Sequence, residues 1–326
     1  MRQNINHMHR PFDALAIGSI YLDIHYGRFP FDTKMGINTE TETVGSEVLL
    51  SVGGSAANFA QISASLGMSM ALLGKIGQDR VGDIVTEELS KLKIQQLIFT
   101  DPEVQTNVSS HFTNPAGNTI QTTGGSANAA LDPDDAHRVV RNYFDKISTL
   151  YIGSYFKLTA LQDGYQQLVI DARNAGIDVL LDHGMVSNVV EREHIRKVKK
   201  LIEQVTYYRP NEQEFCTIWE VDSIEAGFRK LLTLSKRPET VVTRGEKGAV
   251  GLDLDGNTYT INSFSITPKN AVGAGDSFNA GYLFARRQGK NMSEAITFAH
   301  AVAAIRISKC PLPTLDQVET LLKEKP

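Results

Sequence analysis

The chain has 326 residues, 41% of them hydrophobic, with 33 Lys and Arg against 37 Asp and Glu and a net charge of -4. That composition supports a sizeable core in one large domain or two small ones and excludes disorder over most of the length. The near balance of charge argues against a basic nucleic-acid binder, and no apolar run reaches the roughly 18 residues of a membrane helix.

Met1–Phe12 has no apolar centre of a secretory leader and reads as an N-terminal extension. Cys216 and Cys310 stand in no metal or redox spacing, which fits a reduced compartment, so a cytoplasmic location is expected. From Gly53 onward helix-period and strand-like segments alternate. Ser55–Leu66 sets Phe59, Ile62 and Leu66 at helical spacing and stops at Gly67. Met70–Gly74 follows as a short buried strand and Arg80–Leu92 as an amphipathic helix. Core strands are expected at Thr149–Ile152, Val179–Leu181, Val205–Tyr208 and Thr240–Thr243, with helices over Thr159–Asn174, Glu191–Glu203 and Ile224–Ser235 between them. A strand-rich stretch, Ala249–Ile266, precedes helices over Ser277–Arg287, Met292–Ser308 and Thr314–Lys323. The alternation predicts an α/β fold, a mainly parallel sheet covered by helices on both faces. Asp23–Val52 and Thr106–Thr123 break the rhythm and are too long for structureless loops. Both read as strands of a small accessory sheet, serving as a lid, an oligomer interface, or both.

The strongest local signal is Gly273-Ala274-Gly275-Asp276, running into a helical pattern. Glycines before a helix let its unpaired amides face outward, and the helix N-terminus is then an anion site. Asp276 at that end could act as general base on a hydroxyl held beside a phosphate; its plainer reading is an N-cap. Gly53-Gly54 opens another helix, with Asn58 one turn in as donor and acceptor for a small substrate; ordinary helix initiation explains the glycines equally well. Thr243, Gly245 and Gly248 follow a β-branched strand and could cradle phosphates through backbone amides, although such turns are common. Asn211 and Glu214 could help hold hydrated magnesium, or merely begin a solvated helix. A G-x-x-x-x-G-K-[ST] loop, a G-x-G-x-x-G after the first strand and an H-E-x-x-H pattern are all missing.

In order and spacing these motifs resemble the ribokinase-like family of PfkB-type carbohydrate kinases from about Asp13 to the C-terminus. Ala16-Ile17-Gly18 with Asp23 is similar to the family's first strand and its sugar-binding Asp. Gly53-Gly54 through Asn58 and Gly74 through Gly82 are similar to its N-terminal signature, and Gly125 through Leu131 to the segment that closes the lid. Asn211 and Glu214 match N-x-x-E, and Gly273 through Asp276 match the C-terminal signature. The resemblance implies a ribokinase-like three-layer sandwich over residues 13–326, with lid segments near 23–52 and 106–123. It also implies ATP and Mg2+: Asp276 as base, Gly273, Ala274 and Gly275 as the anion hole, and Asp23, Gly53, Gly54 and Asn58 around the sugar. Asn211, Thr243, Gly245, Gly248 and Gly275 would grip the nucleotide, with His300 near the adenine and Glu214 ordering the magnesium water shell. The family's usual Asp-Thr is here Asn270-Ala271, which puts activation by a monovalent cation in doubt. The acidic residue that ribokinases carry after the fifth-strand region is missing from Gly153-Ser154-Tyr155-Phe156, which speaks against assuming ribose.

The expected activity is transfer of the γ-phosphoryl of Mg-ATP to a primary hydroxyl of a sugar, in a homodimer formed through the lid sheet, with no nucleic acid or membrane as partner. A nucleoside kinase on the same scaffold is the nearest alternative and needs room for a base, against Tyr26, Phe29 or Phe112. A catalytically silent sugar- or nucleotide-binding regulator is the alternative from another class. A nicotinamide dehydrogenase lacks its phosphate fingerprint.

Overall fold

The computed structural model describes residues 10–27, 47–114, 119–185, 192–268, 271–309 and 312–324. The first strand, β1 (Phe12–Ile17), alternates its side chains between two cores: Ala14 and Ala16 face one, Leu15 and Ile17 the other. Arg10 already belongs to the body, donating to the carbonyls of Ile147 and Ala175 at 2.7 and 3.1 Å. After β1 the chain turns through Gly18 and Ser19 into β2 (Tyr21–Gly27), and β3 (Glu47–Gly53) returns antiparallel to it. Helix α1 (Ser55–Ser65), β4 (Met70–Gly77), α2 (Arg80–Ser90) and β5 (Ile94–Asp101) follow. Then come β6 (Val108–Thr113), β7 (Thr119–Gly124), α3 (Pro133–Arg141), β8 (Ile147–Gly153), α4 (Tyr165–Asn174), β9 (Asp178–Asp182) and α5 (Arg192–Ile202). The remainder is β10 (Tyr207–Tyr208), α6 (Glu212–Trp219), α7 (Ile224–Leu232), β11 (Glu239–Thr243), β12 (Ala249–Leu252), β13 (Thr258–Ile261), α8 (Ala274–Arg287), α9 (Met292–Lys309) and α10 (Leu315–Lys323).

Among the described residues nine strands form one sheet in the order β13-β12-β11-β10-β9-β8-β1-β4-β5, parallel from β11 to β5 and antiparallel at the β12–β13 edge. One core holds side chains of α1, α2, α8, α9 and α10, and the other those of α3 to α7, so the sheet is the middle of three layers. A separate four-stranded sheet, β3-β2-β6-β7, holds the segments expected to form a lid and is labelled the lid below. No helix among the described residues is long and apolar enough to cross a membrane.

Three elements differ from the sequence expectation. The strand beginning at Met70 runs on to Gly77 because Gly74 makes room for Ile20, whose Cδ1 would lie 2.5 Å from a Cβ there. The helix expected from Thr159 starts at Tyr165, after a turn that packs Leu158 and Leu161 into the core. Ile94–Asp101, whose paired glutamines hide its period, is the edge strand β5.

Candidate active site

The parallel strands end on one side of the sheet, and the conspicuous polar groups gather there, as expected of an open α/β sheet. Because β1 passes directly into β2, Asp23 is carried off the main sheet onto the lid. Its carboxylate lies flat against Gly53 on the neighbouring strand; a Cβ on Gly53 would sit 1.8 Å from Asp23 Oδ2. Gly54 precedes α1 with φ +93°, and a side chain there would meet the Ser19 carbonyl at 2.4 Å. The glycine pair is thus required by the chain's own packing around Asp23 and the start of α1.

Strand register divides the lid into two faces. Asp23, His25, Ser51, Ser109, His111 and Gln121 share one; Leu22, Ile24, Tyr26, Leu50, Val52 and Phe112 share the other. On the polar face His25 and His111 stack with centroids 4.7 Å apart, and His111 Nε2 is 3.6 Å from Asp23 Oδ1. Burial pushes His25 down from its ordinary value, helped by His111 and Arg306 and opposed by Asp23. Tyr26 and Phe112 stack on one another at 4.9 Å on the other face, so they form no platform beside Asp23. Phe29 lies outside the described residues.

Asp276 is not an N-cap. That position belongs to Gly273, at φ +78°, and Asp276 stands in the first turn of α8, its Oδ2 accepting from Asn58 Nδ2 at 2.9 Å. The Ala274 amide donates to the Ala271 carbonyl at 3.2 Å, whereas Gly275 and Asp276 have no carbonyl one turn back inside the helix to pair with. Burial first, then the charge of Asp182, pushes the Asp276 carboxyl up to about 7; Asn58 and Arg306 oppose the rise. Asp182 ends β9, held by Asn279 Nδ2 at 2.7 Å and the Gly184 amide at 3.0 Å. It too is raised, by burial.

Asn211 and Glu214 form the capping box of α6: Asn211 Oδ1 accepts from the Glu214 amide and Glu214 Oε2 from the Asn211 amide, both at 2.9 Å. The structural duty does not exhaust Glu214, whose carboxyl is raised by burial and by Asp182 and Asp276. A carboxylate at the strand ends that Asp182 and Asp276 both act on is an oxygen donor that could help order the water shell of a magnesium ion.

Asn211 also bridges Thr243 at the end of β11. Beyond it lies a cavity of about 610 Å³ whose lining includes Thr243, Gly245, Phe264, Ile266, Phe278 and His300. Ala274 and Gly275 complete its inner end, so one turn, Gly273 to Asp276, faces the cavity on one side and Asn58 on the other. His300 meets the Phe278 ring edge-on at 5.0 Å. An apolar slot ending in a Thr-Gly turn and a helix N-terminus fits a purine nucleotide with its phosphates inward. Gly248 does not line the cavity; at φ +85° it closes the β11–β12 turn, where a Cβ would meet the Ile261 carbonyl at 2.0 Å. Asn270 lies outside the described residues.

Asp182, His25, His111 and Arg306 were not among the residues expected from sequence. Asp182 reads there as a strand end, and the histidines as lid polarity. Arg306 alone carried a signal, as a lone charge in the apolar run from Ala299 to Ile307.

The sequence model of the pfkB family carbohydrate kinases matches residues 17–310. The chain is similar to a 5-dehydro-2-deoxygluconokinase of Lacticaseibacillus casei, 24% identical over 97% of both chains. It is also similar to a ribokinase of Bacillus subtilis (strain 168), 26% identical over 83% of this chain and 87% of the other. A solved structure described as a ribokinase II from E. coli, in complex with ATP and Mg2+, superimposes with a TM-score of 0.79 at 18% identity, covering 96% of this chain and 99% of the other.

Proposed function

The chain belongs to the PfkB family of carbohydrate kinases, and we propose that it transfers the γ-phosphoryl of Mg-ATP to a primary hydroxyl of a sugar, with Asp276 as general base. The observation that carries this reading is the Asn58–Asp276 hydrogen bond, which sets the carboxylate at the mouth of α8 between the polar lid face and the nucleotide-sized cavity. A hydroxyl held by Asp23 and Asn58 beside Gly53 and Gly54 gives its proton to Asp276 as its oxygen meets the phosphorus. The Gly275 and Asp276 amides, with the Gly273-Ala274 backbone shaping the turn, stabilise the charge on the moving group. Thr243 and Gly245 hold the nucleotide phosphates, Gly248 shapes their turn, and His300 flanks the base. Bound magnesium offsets phosphate charge, and Asn211 and Glu214 are placed to order its water shell. Closing the lid excludes water, which would otherwise compete as acceptor.

The reading extends to the assembly. The lid face away from Asp23 carries Ile24, Tyr26, Val48, Leu50, Phe112 and Ile120, an apolar surface that supports a homodimer through the lid.

The test is ADP release from Mg-ATP across pentoses, hexoses, sugar acids, sugar phosphates and nucleosides, with and without potassium, for the wild type and Asp276→Asn. One preferred sugar and a fall in kcat of at least about a hundredfold in the variant, with ATP binding retained, are expected. Near-normal turnover in Asp276→Asn would remove the base assignment. A preferred nucleoside would replace the sugar reading, and the potassium arm decides the consequence of Asn270.

A further inference from the structure

The lid strands β2 and β6 run parallel, with His25 directly opposite His111 and Asp23 opposite Ser109. Side chains two apart on a strand share a face, so two strands are enough to bring Asp23, His25 and His111 together. One ligand atom from each, a carboxylate oxygen and two imidazole nitrogens, lies within 4.8 Å of the others. We propose that these three residues form a binding site on the lid for a divalent transition-metal ion, zinc above all, separate from the magnesium that accompanies ATP.

The hydrogen bonding of the cluster is incomplete without such an ion. Asp23 is 4% exposed, and its carboxylate takes no hydrogen bond among the described residues; it faces His111 Nε2 at 3.6 Å, too far for one. That separation is close to the edge, about 3.3 Å, of a tetrahedron with metal–ligand bonds of roughly 2.0 Å. His111 is 1% exposed, and its Nδ1 is buried with no partner, an expense that a bound ion and its water would remove. The His25 and His111 rings stack at 4.7 Å with 16° between their planes, which sets their edges side by side. Ser51 Oγ lies 3.2 Å from His25 Nε2 and Ser109 Oγ 3.1 Å from His111 Nε2, hydroxyls suited to the water that completes an ion's shell. Arg306, whose charge reaches His25, works against a dication there, and the Asp23 carboxylate offsets it. Two imidazoles and one carboxylate suit zinc and its first-row neighbours, whereas magnesium prefers oxygen ligands throughout. An ion on Asp23 takes that carboxylate from the acceptor hydroxyls, so, on the acceptor site proposed above, it competes with the sugar and not with ATP.

The test titrates Co2+ and then Zn2+ alone, without nucleotide or sugar, into the full chain carrying His7→Gln and His9→Gln, which removes the other closely spaced histidine pair. One bound Co2+ per chain is expected, with the visible absorption of a low-coordinate site, displaced by Zn2+ and not by Mg2+. Adding His25→Gln or His111→Gln should weaken binding at least about tenfold. Thermal denaturation checks that both fold, and His25, half-buried, carries the result if His111→Gln does not. No bound Co2+ in the parent chain, or binding of equal strength in the folded variants, would overturn the site. In the ADP-release assay, a low buffered level of Zn2+ beside excess Mg2+ should raise the acceptor KM severalfold, leave the ATP KM in place and lose its effect in His25→Gln. Zinc that binds as expected but leaves the acceptor KM unmoved would instead remove Asp23 from the acceptor site, with the metal site standing.

Discussion

Asp276 sits where two demands conflict. The proposed proton acceptor must be ionised at working pH, yet this carboxyl is half-buried beside Asp182, and both effects hold its proton on. With its value raised from the ordinary 3.8 to about 7, kcat/KM is expected to climb with pH through about 7, which a pH–rate profile checks. The same shift bears on stability. A carboxyl that holds its proton more tightly when folded contributes stability that is whole below about pH 4 and fades as pH rises towards 7. Above pH 7 the ionised form costs at most about 4 kcal/mol, the three-unit difference converted to free energy. Asp276→Asn should therefore be nearly inactive yet melt several degrees higher at pH 8, with the gap narrowing towards pH 5; differential scanning calorimetry at both pH values decides it. Asp276 and Asn58 were legible because each stands at fixed spacing from a glycine turn. Asp182 and Arg306 were not, because their roles come from what folds against them.

At the scale of elements, the site depends on how the chain crosses from the main sheet to the lid. Two crossings, at Ile20 and at Asn107, are tied by one residue, Asn128. Asn128 accepts from the Ile20 amide at 2.9 Å and donates to the Ile20 carbonyl at 3.1 Å, while its own amide donates to Asn107 Oδ1 at 2.8 Å. Asn128→Ala strands both backbone groups of Ile20 in a buried place and should destabilise the protein by about 1–3 kcal/mol, measured by urea unfolding. The acceptor KM should rise more than the ATP KM, because Asp23 is three residues from Ile20. The alternation of β1 and the helical face of α1 were readable because side-chain period reports directly on burial. β5, with mixed burial, carries too little periodic signal, whereas β10 lies inside the strand expected at Val205–Tyr208 but keeps only its last two residues.

Across the whole molecule, chemistry and scaffolding lie at opposite ends of the strands. Thr243 closes β11 beside the cavity proposed for the nucleotide, while Glu239 opens it, in a buried network with Arg209, Arg286 and the Tyr282 hydroxyl. Arg209 also stacks over the Tyr282 ring at 3.7 Å. The lid leaves Val48, Leu49 and Leu50 at 64, 57 and 51% exposure, more apolar surface than a single copy of a strand pair ordinarily leaves in water. Leu50→Glu is expected to convert a dimer into monomers in sedimentation velocity, with Leu49→Glu, on the polar lid face, having the smaller effect. A wild-type chain that sediments as a monomer would remove the dimer proposal.

The order of strands and helices, the turn before α8 and the pair Asn58 and Asp276 were determined by the sequence itself, because glycine geometry and side-chain period are local properties of the chain. Tertiary structure alone decided which charges meet. Asp182 arrives from β9, Arg306 from α9 and His111 from β6, and their fields act on Asp276 or Asp23 only after segments up to some 280 residues apart pack into one low-dielectric pocket, where a charge acts far more strongly than in water. The division of labour among the glycines was also settled there. Gly53 yields its space to Asp23 and Gly248 to the Ile261 carbonyl, distinctions that spacing cannot carry because they depend on what lies across the gap.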